Sequence, residues 1–154
     1  MAKYTEVSDD TMELFEKVLN STTINQDMIR IKILNCETEK TPMKIMKAND
    51  LVSFLAKDAT DIIVIVNENL LDLLQENNTE ILLDELLSGI GYDSEKDKIL
   101  FIKPTFNSYP EVMKKYGNLL LNAKETVRLL LQQKEDEARE AKQAKLEAKK
   151  NKKK

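Results

Sequence analysis

No histidine and no tryptophan occur among the 154 residues, and there is one cysteine. The missing imidazole is the most consequential absence. It is the commonest general base, the usual zinc ligand and the one side chain that titrates unperturbed near neutral pH, so Ser–His, Cys–His and His-ligated zinc constellations are excluded. A hydroxyl nucleophile would need Lys or a terminal amine as its base, and no such pair stands out. The single thiol, Cys36, can neither close an intramolecular disulfide nor build a multi-thiolate metal site, and it reads as a structural cysteine in a reducing compartment. Three Gly and three Pro leave little turn punctuation, as in helix-rich proteins. No stretch approaches the roughly 20 apolar residues of a membrane span. The opening MAKYTEVSDD lacks the apolar core of a secretory signal, so a cytoplasmic protein without a membrane partner is expected.

What is present suits one domain with a polar extension: 42% of residues are hydrophobic and 33% charged. The 24 basic and 27 acidic side chains leave a net charge of -3, too small to steer the whole molecule towards polyanions. The charge is unevenly spread. Residues 142–154 hold seven Lys against one Glu, a local +6 that leaves -9 on residues 1–141.

Along the chain, Ser8, Asp9 and Asp10 cap a helix over 8–20 whose inner face is Met12, Phe15, Val18 and Leu19. Ile29, Ile31 and Ile33 alternate with Arg30 and Lys32, the period of a half-buried strand. CETEKTP is a turn or loop, and MKIMKA a short extended piece. A capped helix then starts near Asn49 and Asp50, with Leu51, Val52, Phe54 and Leu55 as its buried side. DIIVIV, residues 61–66, is a branched run expected of a central strand covered on both faces. A short helix follows from Asn67, then one capped by Asn78 or Thr79 with the stripe Leu82, Leu83, Leu86, Leu87 and Ile90, stopped by Gly89 and Gly91. KILFI is a further strand ended by Pro104, and helix resumes over 109–115.

From Asn118, Leu120, Ala123, Val127 and Leu130 keep a heptad-like spacing, after which apolar residues nearly vanish. One long helix is therefore expected to leave the domain, with Glu135 and Arg139 as an i,i+4 pair. Its Leu120–Leu131 portion packs at home or, alternatively, zips against another helix. The division is a compact α+β domain over 1–117, with a small sheet from strands near 29–34, 61–66 and 98–102, and a helix over 118–154 ending in the lysine tail.

Gly89 and Gly91 do not form a phosphate loop, because no strand leads into them and no helix follows. Asp93, Glu95 and Asp97 lack the spacing of a calcium loop and read as hydrated surface.

The order TPMKIMKANDLVSFLAKDATDIIVIVNENLLDLLQENNTEILLDELLSGI followed by EKDKILFIKPTFNSYPEVMKKYG, about residues 28–117, resembles the phage metallopeptidase family, a compact zincin-like group. In that family a strand resembling DIIVIV precedes a helix carrying LLDHELxH, whose histidines bind zinc while the carboxylate between them activates water. A further histidine lies near the strand that KILFIKP resembles. On this sequence the helix histidines fall on Glu85 and Gly89, the base on Leu86 and the later ligand near Pro104. Glu85 alone of these can ligate a metal, so the resemblance implies a divergent, catalytically inactive member without HExxH, and no zinc or other cofactor.

The expected role is a binding or structural accessory module of a phage, in the cytoplasm of the infected host cell or in the virion, with a phage or host protein complex as partner. Lys142, Lys145, Lys149, Lys150, Lys152, Lys153 and Lys154 suit DNA or RNA phosphates contacted without base reading. A merely solubilising terminus, or an acidic protein such as a second copy, suits them too. The rival reading is a hydrolase without histidine ligands, in which Asp84 and Glu85 join Asp93 or Asp97 around a hard metal ion.

Overall fold

The structure, a computed structural model, describes residues 3–55, 59–104 and 108–151. It is an α+β fold with a three-stranded and a two-stranded sheet and a long C-terminal helix. Helix α1 (Asp9–Ser21) starts where Ser8 accepts a hydrogen bond from the Thr11 amide, and it buries Phe15, Val18 and Leu19 while Met12 stays exposed. Strand β3 (Ile62–Val66) is the centre of the main sheet. It pairs in parallel with β1 (Ile31–Asn35) and antiparallel with β2 (Met43–Lys47), in a register that sets Val64 between Ile33 and Ile45. Four of its five residues are buried, as a run of branched side chains demands.

After β3, Asn67 caps the one-turn α3 (Glu68–Leu71), and the chain enters α4 (Glu76–Ser88). Leu83 and Leu87 of α4 join the sheet and α1 in the main core, whereas Ile81 packs with Val112, Leu120 and Ala123 in a second. Helix α5 (Pro110–Tyr116) carries Val112. It turns sharply into α6 (Asn118–Asn151) at Gly117, whose φ of 55° favours a residue without Cβ. Leu120 and Ala123 are fully buried, so the first turns of α6 pack at home. Every described side chain from Gln132 to Lys150 is exposed.

Several expectations are corrected. The strand at 98–102, β5 (Lys98–Phe101), does not join the main sheet but forms a separate hairpin with β4 (Ile90–Asp93). Gly91 therefore lies in a strand rather than at a helix end, with Ile102 packed where its side chain would stand. MKIMK takes the third place in the main sheet. The cap of α4 is Gln75, three residues or more before Asn78 and Thr79, and Thr79 is buried inside the helix. In α2 (Asp50–Leu55), Leu51, Phe54 and Leu55 are exposed, Phe54 by 84%. Ser53 donates to the Thr60 carbonyl at 2.6 Å, which turns that side of the short helix inward instead. Arg139 and Glu135 do not close into an ion pair. The pair on α6 is Arg128 with Glu125, and an exposed pair gains little either way.

One polar link ties α1 to α3. The Glu68 carboxylate accepts from the Ser8 amide at 2.9 Å, the Ser8 hydroxyl at 2.7 Å and the Thr11 hydroxyl at 2.6 Å. Burial raises the Glu68 pKa, but the bonds from Thr11 and Ser8 outweigh it, and the net shift is downward. A carboxyl with a depressed folded-state pKa stabilises above its unfolded value, about 4.3, and loses that contribution as pH falls through the folded value. Glu68→Gln is therefore expected to cost about 1 kcal/mol at neutral pH. In urea titrations the gap to the parent should vanish in acid; a gap that persists there would rule out the carboxylate as its source.

Candidate functional site

Leu82, Glu85, Leu86 and Gly89 recur at i, i+3, i+4 and i+7 and so share one face of α4. That face looks into a cavity of about 410 Å³. Met43 and Ile45 of β2 form one wall, Phe101, Ile102 and Pro104 another, and Val127 and Leu131 of α6 a third. The four positions that the family resemblance assigns to zinc ligands and base, Glu85, Leu86, Gly89 and Pro104, thus border a single cavity.

Their chemistry does not fit a metal. Leu86 and Pro104 offer no donor side chain, and the place a Gly89 side chain would occupy is filled by the Tyr109 phenol. Tyr109 donates to the Ile102 carbonyl at 2.7 Å. Burial, and then the negative charge of Glu85, push its pKa up, so the phenol stays protonated as a donor. Among the described residues Glu85 is the one carboxylate at the cavity, and its Oε1 is held at 2.5 Å by Lys124 of α6. Among the described residues no three Asp, Glu or Cys side chains are grouped to hold a metal ion.

The rival carboxylate site is not assembled. Asp84 faces away from Glu85 and accepts from Lys115 at 2.7 Å and Tyr116 at 2.5 Å, which lock α5 onto α4. The bond from Asp84 raises the Lys115 pKa; burial first and then Asp84 raise that of Tyr116. Asp93 accepts from the backbone amides of Glu95 and Lys96, and Asp97 from the Tyr92 phenol, so both serve the β4–β5 turn.

Lys142, Lys145, Lys149 and Lys150 are exposed on α6, beyond Leu131, where the helix leaves the cavity. Lys152, Lys153 and Lys154 lie outside the described residues. Tyr109 and Lys124 were not singled out by sequence reasoning. Lys124 had a usable signal, since a cation inside the stripe of Leu120, Ala123 and Val127 requires a partner. Tyr109, next to Pro110 at a helix start, had none.

No helix is long and apolar enough to cross a membrane among the described residues. No family model, curated protein or solved structure matches the chain.

Gly89 has an ordinary φ of -78°, so the phenol alone opposes a side chain there. Gly89→Ala is expected to cost about 1–2 kcal/mol by displacing the Tyr109 bond. In a Tyr109→Phe background the same change should be neutral or stabilising by up to about 1 kcal/mol, through the lower entropy of the unfolded chain. Equal costs in both backgrounds, measured by denaturant unfolding, would show that the phenol does not set the requirement.

Proposed function

We propose that this chain is a non-catalytic accessory module, zincin-like in layout as the phage metallopeptidases it resembles, that works by binding in the infected host cell or the virion. The observation that carries this reading is the cavity. The positions aligned with the family's ligands come together there, yet they present leucine, proline, a glycine covered by a phenol and a carboxylate already neutralised by lysine. Hydrolysis of a peptide needs an activated water or nucleophile, and these side chains supply neither. No zinc-dependent step is assigned to them.

The binding function rests on the basic end of α6. Its lysines suit phosphates, and with no aromatic residue after Tyr116 they have nothing to stack on bases. DNA or RNA is then held without sequence preference and with strong salt dependence from counterion release.

Purified full-length protein should contain no stoichiometric zinc, and a chelator should leave its melting midpoint unchanged. Stoichiometric zinc with a peptidase activity lost on chelation would overturn the non-catalytic reading. Deleting residues 142–154 should abolish binding to nucleic acid across about 50–200 mM salt. Undiminished binding would reject the tail as the interface.

A further inference from the structure

Helix α6 continues well past its last packing residue. Leu131 is half-buried, every described side chain from Gln132 to Lys150 is exposed, and the segment holds no Gly or Pro to bend it. A helix that only closed the domain would end where its contacts end.

The charge along the chain gives the extra length a purpose. Residues 1–131 hold 15 basic and 22 acidic side chains, a net -7. Residues 132–141 hold Lys134 and Arg139 against Glu135, Asp136, Glu137 and Glu140, and the lysines begin at Lys142. At 1.5 Å per residue, Lys142 stands about 16 Å along the axis from Leu131. That is about two Debye lengths at physiological ionic strength, so the field of the acidic body is largely screened at the lysines. Lysines placed directly after Leu131 would lie within one Debye length of a surface that both neutralises them and repels a polyanion.

We infer that α6 is an electrostatic stand-off, holding a lysine face far enough from an acidic body to engage double-stranded nucleic acid; this rests on the nucleic-acid reading above. Lys142, Lys145 and Lys149 lie at i, i+3 and i+7 on one face, spanning about 10 Å, with Lys150 beside them. Duplex DNA presents a charge every ~1.7 Å of its axis, which such a row meets with several phosphates at once. Single strands are favoured by aromatic platforms, and α6 has none. The tail also has no Arg for bidentate base reading, so contact is to the backbone alone.

The test shortens the stalk in the full chain. Deleting residues 133–139 removes two turns, brings the lysines about 10 Å nearer the body and keeps their face within about 20° of its bearing. It also removes one net negative charge, which by itself would tighten binding, so weakening identifies distance as the cause. Anisotropy with a labelled duplex of about 20 base pairs near 0.1 M salt, where the Debye length is about 10 Å, should show binding ~3- to 10-fold weaker. A matched insertion of seven uncharged helix-forming residues after Gln132 should leave affinity equal or tighter. Near 0.01 M salt, where screening extends to about 30 Å, parent and deletion should converge. An unchanged melting midpoint checks that each variant is folded.

Tail-dependent duplex binding that the deletion leaves unchanged or tightens overturns the stand-off alone. No duplex binding by the full chain, or binding equal without residues 142–154, overturns the nucleic-acid reading and the stand-off with it. Tighter binding to the matching single strand or to anionic vesicles overturns the assignment of a duplex as partner.

Discussion

Burying α4 places two consecutive carboxylates, Asp84 and Glu85, largely out of water, with side chains only 9% and 15% exposed. Removing the partner of a buried charge costs about 3–5 kcal/mol, so each carboxylate needs a cation of its own. Adjacent positions on a helix point roughly 100° apart, so one cation cannot serve both. Asp84 takes Lys115 and Tyr116, and Glu85 takes Lys124. These partners come from α5 and α6, so satisfying α4 fixes both C-terminal helices against it. Gly117 supplies the turn that lets the two helices approach from different sides.

The same arrangement engages the ionisable groups at the cavity. Glu85 belongs to an ion pair with Lys124, and the Tyr109 phenol donates to the Ile102 carbonyl and is seated against Gly89. Most of the remaining lining is apolar, from β2, α4, α6 and the segment Phe101 to Pro104. Glu85 thereby joins α4 to α6, and Tyr109 joins the start of α5 to Ile102. The proposed binding role moves the working charges away from this frame to the far end of α6.

Much of the architecture was legible because burial leaves a periodic trace. DIIVIV announced a covered strand, the Ser8 cluster a helix start, and Leu120 to Leu130 a helix packed along one side before turning mostly polar. The misses share a cause: local sequence does not report tertiary partners. Gly89 and Gly91 looked like helix stops, but Gly91 is needed in a strand because Ile102 crosses it. Leu51, Phe54 and Leu55 looked like a core face, yet one hydroxyl bond from Ser53 turns a six-residue helix the other way. At the site, Glu85, Leu86, Gly89 and Pro104 were legible only through family resemblance. Tyr109 and Lys124 appear once the fold brings α5 and α6 to the cavity.

The unequal distribution of charge follows from the same constraint. Lys124 of α6 is already committed to Glu85, and further lysines close to the body would lie within the field of its net negative charge. A basic surface that remains available to a distant polyanion has to lie beyond the reach of that field. Continuing the helix is a simple means of placing it there. Each added residue gains 1.5 Å for a small entropic cost when it is Ala, Glu, Lys, Gln or Arg, the types that fill residues 132–150 almost entirely.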